Sequence, residues 1–483
     1  MSAFEKSFGT KKVNNTSFGR KELVAPYEEN DLTPEVVGLI LEELLPTHIG
    51  NIQEINYLKG VYRGLHDILN KVKNVRPDIN NKSIINNAFH IVEFKKGYIF
   101  GDPIQYVQRS ETLKEELDLF NKYMYKNSKS SKDKDLAEDF YTRGVGYRIA
   151  LPSDKLPFEI FNLDNTNTGI VYSNNIQKSK LVGFYLTHIK DDVYKVMCYT
   201  KFDVFHFNVT ITKKSRGNFK ATFIKQENNP LGKIPIVEYK LNKSRLGLVE
   251  LVKSMIDALN FITSADLDDI EQFVQSLLVF VNQDVDKQTL IELLEIGALQ
   301  ITSNDPKRPA DVKILSNKMQ HSETKVLYDR IYGDMLTIAG VPKMSDKASS
   351  GDTGQAKLVG EGWTMADERA KQDELSFKES EKEIIELCLD ICKVKSSSGI
   401  KQLNLEDIEI KFTRNRSDNM LVKTQALMNL QSAQVAPEVA FTVIGLFSDP
   451  NEVVTQSKAY HGDDFWKVDG QEEVIESEVV EPI

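Results

Sequence analysis

Residues 246–276, LGLVELVKSMIDALNFITSADLDDIEQFVQS, carry an apolar pattern of helical period with no internal breaker. About 30 residues at 1.5 Å rise predict a rod of roughly 45 Å. A compact stretch follows over 277–318. It reads as strand LLVFVN, a helix from Val285 to Ile296 stopped by Gly297, strand ALQIT, a turn at Asp305-Pro306 and strand DVKILS. Helical pattern then returns over 321–340. The chain must therefore hang a small α/β module from two rods.

The second rod ends at Gly340 and Pro342, since glycine suits the position after a helix and proline cannot continue one. A polar loop, Lys343 to Gly354, contains Ser345, Lys347, Ser349, Ser350 and Gly351. Gly360 and Gly362 interrupt the helical pattern that resumes after it, which predicts a kink or break. A mobile loop between two rods suits contact with something that moves. On this stretch alone, an ordinary helix–helix connection is the simpler account.

Ahead of the rods, residues 1–30 are polar and read as an extended arm. Thr33 and Pro34 start a helix whose apolar side includes Leu39, Ile40, Leu44 and Leu45; a second helix is expected over 48–71. Ser83 to Lys96 reads as helix ended by Gly97, with a strand-like run to Val107. A helix over 111–125 precedes KNSKSSKDK, residues 126–134, which reads as a solvated, mobile loop. From Gly144 to Tyr239 short alternating runs such as GYRIAL, LVGFYLTHI and VFHFNVTIT predict an antiparallel sheet domain. His188 and His206 lie inside those runs with no Ser or Cys partner motif and read as structural. Downstream, 363–394 is a long helix, 395–402 a linker and Ile408–Phe412 a strand. Two or three helices then reach about Tyr460, and an acidic tail over 471–483 is expected to be disordered.

A chain of 483 residues suits roughly three domains. Its net charge of −10 does not attract nucleic acid to the surface as a whole. Three cysteines argue for a reducing compartment, and Cys388 and Cys392, at i and i+4, read as core residues. No leader-like start and no apolar run long enough for a membrane span are seen, so cytoplasm is expected. Phosphate-binding GxxxxGK[ST], GxSxG and HExxH are absent, and no cofactor or metal is implied. Asp407, Glu409 and Lys411 match the short E-x-K element of some metal-dependent nucleases, but the signal is short and weak, and alternating charge on an exposed strand is the better account.

IINNAFHIVEFKKGYIFGDPIQY, residues 84–106, resembles a helix-then-glycine-turn stretch of the portal proteins of tailed double-stranded-DNA bacteriophages, nearest those of long-tailed phages of Gram-positive hosts. Gly97, Tyr98, Gly101 and Pro103 carry that match. A second stretch, 227–273, is similar through Asn229, Gly232, Ile234, Pro235, Asp257 and Ser264. The order of parts from about residue 30 to 460 resembles the family throughout. The resemblance implies an α+β, multidomain portal fold assembling as a ring, without enzymatic activity. Its parts would be the arm (1–30), a wing (31–245), a stem (246–276 and 319–340), a small α/β clip (277–318), a channel loop and hinge (341–362), a long wing helix (363–394), a crown (395–470) and the tail (471–483). It further implies a homododecameric channel at one capsid vertex, through which DNA enters and leaves. Lys343, Ser345, Lys347, Ser349, Ser350 and Gly351 would line the channel, and Gly360 and Gly362 would form the hinge. Asp284, Lys287, Asp305, Lys307 and Arg308 of the clip would meet the terminase large subunit and head-completion or adaptor proteins. Major capsid and scaffolding proteins would be further partners, with no membrane involved. The protein would belong to the virion, passing through host cytoplasm during assembly. An acidic wall suits a channel, because one that bound phosphates tightly would stop DNA from sliding.

Overall fold

The computed structural model describes residues 19–109, 113–190, 192–211, 219–274, 277–281, 311–315, 321–343, 362–414, 420–444, 450–462 and 465–466. The first long helix is α1 (Pro34–Tyr62), with the Thr33 hydroxyl accepting the Val36 N–H at 3.4 Å. Two helices were expected here; one runs straight through Pro46. A proline inside a helix costs about 3 kcal/mol. The apolar register continues across it, however, and Ile40, Leu41, Leu45, Ile49 and Ile52 all bury against the larger sheet.

That sheet contains β1 (Leu23–Ala25), β5 (Thr168–Ser173), β6 (Lys180–Lys190), β7 (Val193–Tyr199), β8 (Asp203–Ile211) and β9 (Phe219–Asn228), in the order β1-β5-β6-β7-β8-β9. All neighbours are antiparallel except the β1–β5 pair. Residues 19–25 thus dock on the body rather than extending free, while residues 1–18 of the expected arm lie outside the described residues. Leu23 and Ala25 are buried, and Arg20 ion-pairs with Glu54 and Glu250. A second sheet holds β3 (Val145–Pro152), β4 (Phe158–Leu163) and β10 (Ile236–Lys240) in the order β10-β3-β4. One β-rich segment therefore yields two sheets, with Ile149, Ile170, Ile234 and Ile236 forming a small core of their own.

The strand β2 (Gln105–Gln108) follows α2 (Asn87–Phe100), which starts four residues later than expected because Asn86, not Ser83, caps it. Gly97 lies inside this helix instead of ending it. After α3 (Lys114–Lys126) the Lys/Ser stretch is not a mobile loop: from Lys129 it forms α4 (Lys129–Arg143), and Lys129 and Asp133 are buried.

Helix α5 (Leu248–Val274) leads into β11 (Leu277–Val281), which pairs antiparallel with β12 (Asp311–Leu315) ahead of α6 (His321–Ala339). The two rods are therefore a helical hairpin joined at one end through a two-stranded sheet. The helix and further strand expected over 282–310 lie outside the described residues. Helix α7 (Trp363–Val394) runs as expected and buries Phe377, Ile384, Ile385, Cys388 and Cys392 in the main core. Strand β13 (Ile408–Lys411) pairs antiparallel with β2 through Ile410↔Tyr106, so this segment packs on the helix-and-sheet body rather than with the C-terminal helices it was grouped with. Its alternate residues Ile408 and Ile410 enter the main core, which explains the placement. The chain closes with α8 (Met420–Ser432), α9 (Pro437–Ile444) and α10 (Pro450–His461). Among the described residues no helix is long and apolar enough to cross a membrane.

Candidate functional site

The hairpin is braced by a segment that sequence periodicity does not reveal. Residues 63–86 run between α1 and α2 with little regular structure and lie along α5. The backbone N–H groups of Ile85, Ser83 and Asn81 donate to Asn260 Oδ1 (2.8 Å), Ser264 Oγ (2.9 Å) and Asp268 Oδ1 (2.6 Å). The fit is one of pitch. Two residues of extended chain span about 6.7 Å, and four residues of helix rise about 6 Å. Every second amide of the strap therefore meets every fourth side chain of α5. Asn260, Ser264 and Asp268 are all buried, so each strap amide replaces a water the helix side chain would otherwise need.

Asp268 is the anchor. Lys71 Nζ at 2.7 Å and Lys73 Nζ at 3.2 Å reach its other oxygen. Burial alone would raise its pKa, but the Lys71 and Lys73 ammonium groups and the Asn81 amide outweigh it and hold the carboxyl at about 2. Further along, Lys253 of α5 bridges Asp67 (3.0 Å) and Asp257. His66 sits between Asn260 Nδ2 (3.2 Å) and Asn86 Oδ1 (3.3 Å), and burial lowers its pKa. The amide of Asn260 can only donate through that nitrogen, so the neutral ring accepts at Nδ1 and donates from Nε2.

The other end of the hairpin feeds the loop. Gly340, at φ +66°, closes α6: Val341 N–H donates to Leu336 O at 2.9 Å and Gly340 N–H to Thr337 O at 3.2 Å. This pair of bonds, with Val341 and Leu336 both buried, is a Schellman stop. Any side chain at Gly340 would press on Arg369, whose Cγ would lie 2.8 Å from the new carbon. Gly362, at φ +81°, precedes α7, and a carbon added to it would lie 3.8 Å from Pro342 Cα. The two feet of the loop thus stand side by side. Trp363 pins the second foot by packing on Phe94 and Tyr98, at ring-centroid distances of 6.1 and 5.9 Å. Asp367 and Glu374 of α7 hold Arg414, the latter through two bonds of 2.8 and 3.0 Å.

Helix α7 is tied to the sheets by a fully buried, charge-balanced cluster. Glu381 takes Lys129 Nζ (2.8 Å), Tyr106 OH (2.7 Å), Tyr239 OH (2.8 Å) and Arg148 Nη1 (3.5 Å). Asp133 takes Lys129 at 2.5 Å and Arg148 at 2.8 Å. Burial raises the Glu381 pKa, but Lys129 and Arg148 overcome it and hold the carboxyl below its ordinary range.

Of the residues singled out by sequence, Lys343 is exposed, with its ammonium beside Gly333 of α6, and Gly362 is the left-handed residue before α7. Ser345, Lys347, Ser349, Ser350, Gly351 and Gly360 lie outside the described residues, as do Asp284, Lys287, Asp305, Lys307 and Arg308. The Asp407 carboxylate caps a turn, accepting the Asn404 N–H at 3.0 Å, and Glu409 and Lys411 follow on β13. Among the described residues no group of three or more His, Cys, Asp or Glu side chains is placed to hold a metal ion. Sequence reading missed the strap and the buried charge cluster. The first had one visible signal: polar Asn260, Ser264 and Asp268 at a strict four-residue spacing along one stripe of α5.

These features describe a helical hairpin braced by the strap, with Pro342 and Gly362, on either side of residues 344–361, standing close together. Comparison with known sequences supplies the family. The family model described as phage portal protein, SPP1 Gp6-like, matches residues 41–463, and the chain belongs to that family. A curated relative, the portal protein of Bacillus phage SPP1, is 22% identical over 228 residues, which is 42% of this chain and 42% of that protein. The aligned region thus spans less than half the length of the relative.

Proposed function

We propose that this chain is the subunit of a closed ring that forms the DNA channel at one capsid vertex. Double-stranded DNA would be packaged and ejected through it. In this reading α5 and α6 are the stem, residues 277–318 the clip that receives the terminase and later the head-completion proteins, and 343–354 the loop facing DNA. The structure would be a virion component acting by shape rather than by catalysis.

The observation that carries the reading is the bare surface of the stem in a single subunit. Phe261 and Ile270 on α5 are 57% and 50% exposed, and Val326 on α6 is 69% exposed. Large apolar side chains left bare on more than one face of two adjacent helices call for cover. A ring whose subunits contact head to tail covers such faces repeatedly and closes without a free end. Negative-stain images of the purified chain test this: rings with a central hole are expected. Particles of single-subunit size at all concentrations, with or without the other capsid components, would refute it.

A further inference from the structure

The strap has its polarity reversed. In the run Lys71-Val72-Lys73-Asn74-Val75 the lysines turn inward to Asp268, while Val72 and Val75 are 81% and 78% exposed. Leu65 and Leu69 beside them are exposed as well. An extended segment on a protein surface normally does the opposite, because each valine buried removes apolar area from water. Here the two lysines reach Asp268, and Asn80 Nδ2 donates to Lys71 O at 3.2 Å, so the run is tied down through its polar groups and its valines are left outward, as on a contact surface.

We propose that the outward face of this strap docks on α6 of a second copy of the chain, forming a subunit–subunit contact of the stem. The proposal rests on the ring reading above and names the surfaces that close it. Height along the hairpin supports the pairing. Val72 and Val75 stand near the level of Asp268, six residues before the end of α5, about 9 Å from it. Val326 and Leu327, exposed on α6, lie five and six residues past its start, at the same distance from the same end of the hairpin. With the hairpin along the ring axis, a rotation keeps each residue's height, so these two patches arrive level with one another.

The strap carries little charge outward once its own pairs are set aside: Lys71 and Lys73 hold Asp268 and Arg76 holds Asp78, leaving Arg63 and Lys82 against Asp67, while α6 holds three carboxylates against two cations. Nucleic acid is the poorer fit, because Lys71 and Lys73 are already committed to Asp268 and what the strap presents outward at its centre is valine.

The test is disulfide capture in the full chain. The native Cys198, Cys388 and Cys392 are all buried and remain silent. With Val72→Cys and Leu327→Cys in one chain, oxidation of assembled rings should give a ladder of covalent multimers on a non-reducing gel. Either cysteine alone should give none, and mixed single variants only dimers. In parallel, V72D/V75D should raise the concentration for half-assembly at least about tenfold with the subunit melting curve unchanged. Rings that image normally, yield no ladder and are untouched by V72D/V75D would overturn the strap contact and leave the ring reading standing. A chain that forms no rings would overturn both.

Discussion

Replacing Glu381 by leucine should damage the body of the subunit more than any surface change, and a second substitution should partly repair it. Glu381 has no exposure and four partners, Lys129, Tyr106, Tyr239 and Arg148, at 2.7–3.5 Å. Its loss leaves two buried cations facing Asp133 alone. Breaking a buried pair costs about 3–5 kcal/mol, and each stranded tyrosine hydroxyl about 1–3 kcal/mol more, less whatever water recovers. These terms share partners and do not add, so E381L is expected to lose at least about 4 kcal/mol. The double variant K129M/E381L removes the orphaned ammonium too and leaves Arg148 with Asp133 as a neutral pair. It should be about 2 kcal/mol more stable than E381L, since replacing a buried pair outright is far milder than halving it. The chain has two tryptophans, Trp363 packed against the main core and Trp466 against Phe441. Urea unfolding followed by fluorescence in a Trp466→Phe background therefore reports on this core. If the double variant unfolds at the same or lower urea than E381L, the cluster is not held together by charge balance.

Four further outcomes are expected. Asp268→Asn should speed amide exchange in peptides covering 71–85 at least about tenfold at pH 7, because the lysines lose their anion. Since the folded pKa of Asp268, about 2, lies below its ordinary 3.8, its contribution is present above about pH 4 and fades as pH falls toward 2; the gap between wild-type and variant melting temperatures should close over that window. Gly340→Ala should lower stability by more than the 1–2 kcal/mol of left-handed strain because it also meets Arg369, whereas Gly362→Ala, whose new carbon would make only ordinary van der Waals contact, should show the strain alone. Charge reversal at Lys307 and Arg308 should weaken terminase capture in a pull-down while rings still image normally, and equal capture would remove these residues from the docking surface.

How much of this was legible in the sequence depended on whether the signal was local. Helix α7 was read to within its observed bounds because apolar period, glycine start and length agree. Strands β11 and β12 were readable as apolar runs flanking a module, and the closing glycine of α6 as a stop. The misreadings share a cause. KNSKSSKDK looks solvated because its residues are polar, yet Lys129 and Asp133 pair at i, i+4 and meet Glu381, some 250 residues away, inside the core. The strap has no period of its own, and its partners on α5 lie about 180 residues later in the chain. Two helices were expected where α1 runs unbroken through Pro46, because the sheet that offsets the proline's local penalty is assembled mostly from residues beyond 160. Buried polar contacts between distant segments do not announce their partner: the four-residue spacing of Asn260, Ser264 and Asp268 marks a polar stripe on α5 but not the segment that covers it.

The loop prediction follows from how its feet are held. Val341 is buried behind the Schellman stop, Trp363 lies against Phe94 and Tyr98, and Gly362 stands beside Pro342. The loop is thus anchored at two fixed feet, since any displacement of a foot must break a packed core. Force applied to its tip would therefore be borne by α6 and α7 together, and α7 passes it to the sheets through Glu381. If residues 343–354 face DNA, bulk at the tip should hinder passage and leave assembly alone. Ser349→Trp with Ser350→Trp should give normal rings, unchanged melting and a packaged-DNA yield reduced at least about tenfold, the effect of about 1.4 kcal/mol on a rate. Full packaging in that variant, in particles shown to contain the mutant ring, would mean that the loop does not meet the DNA.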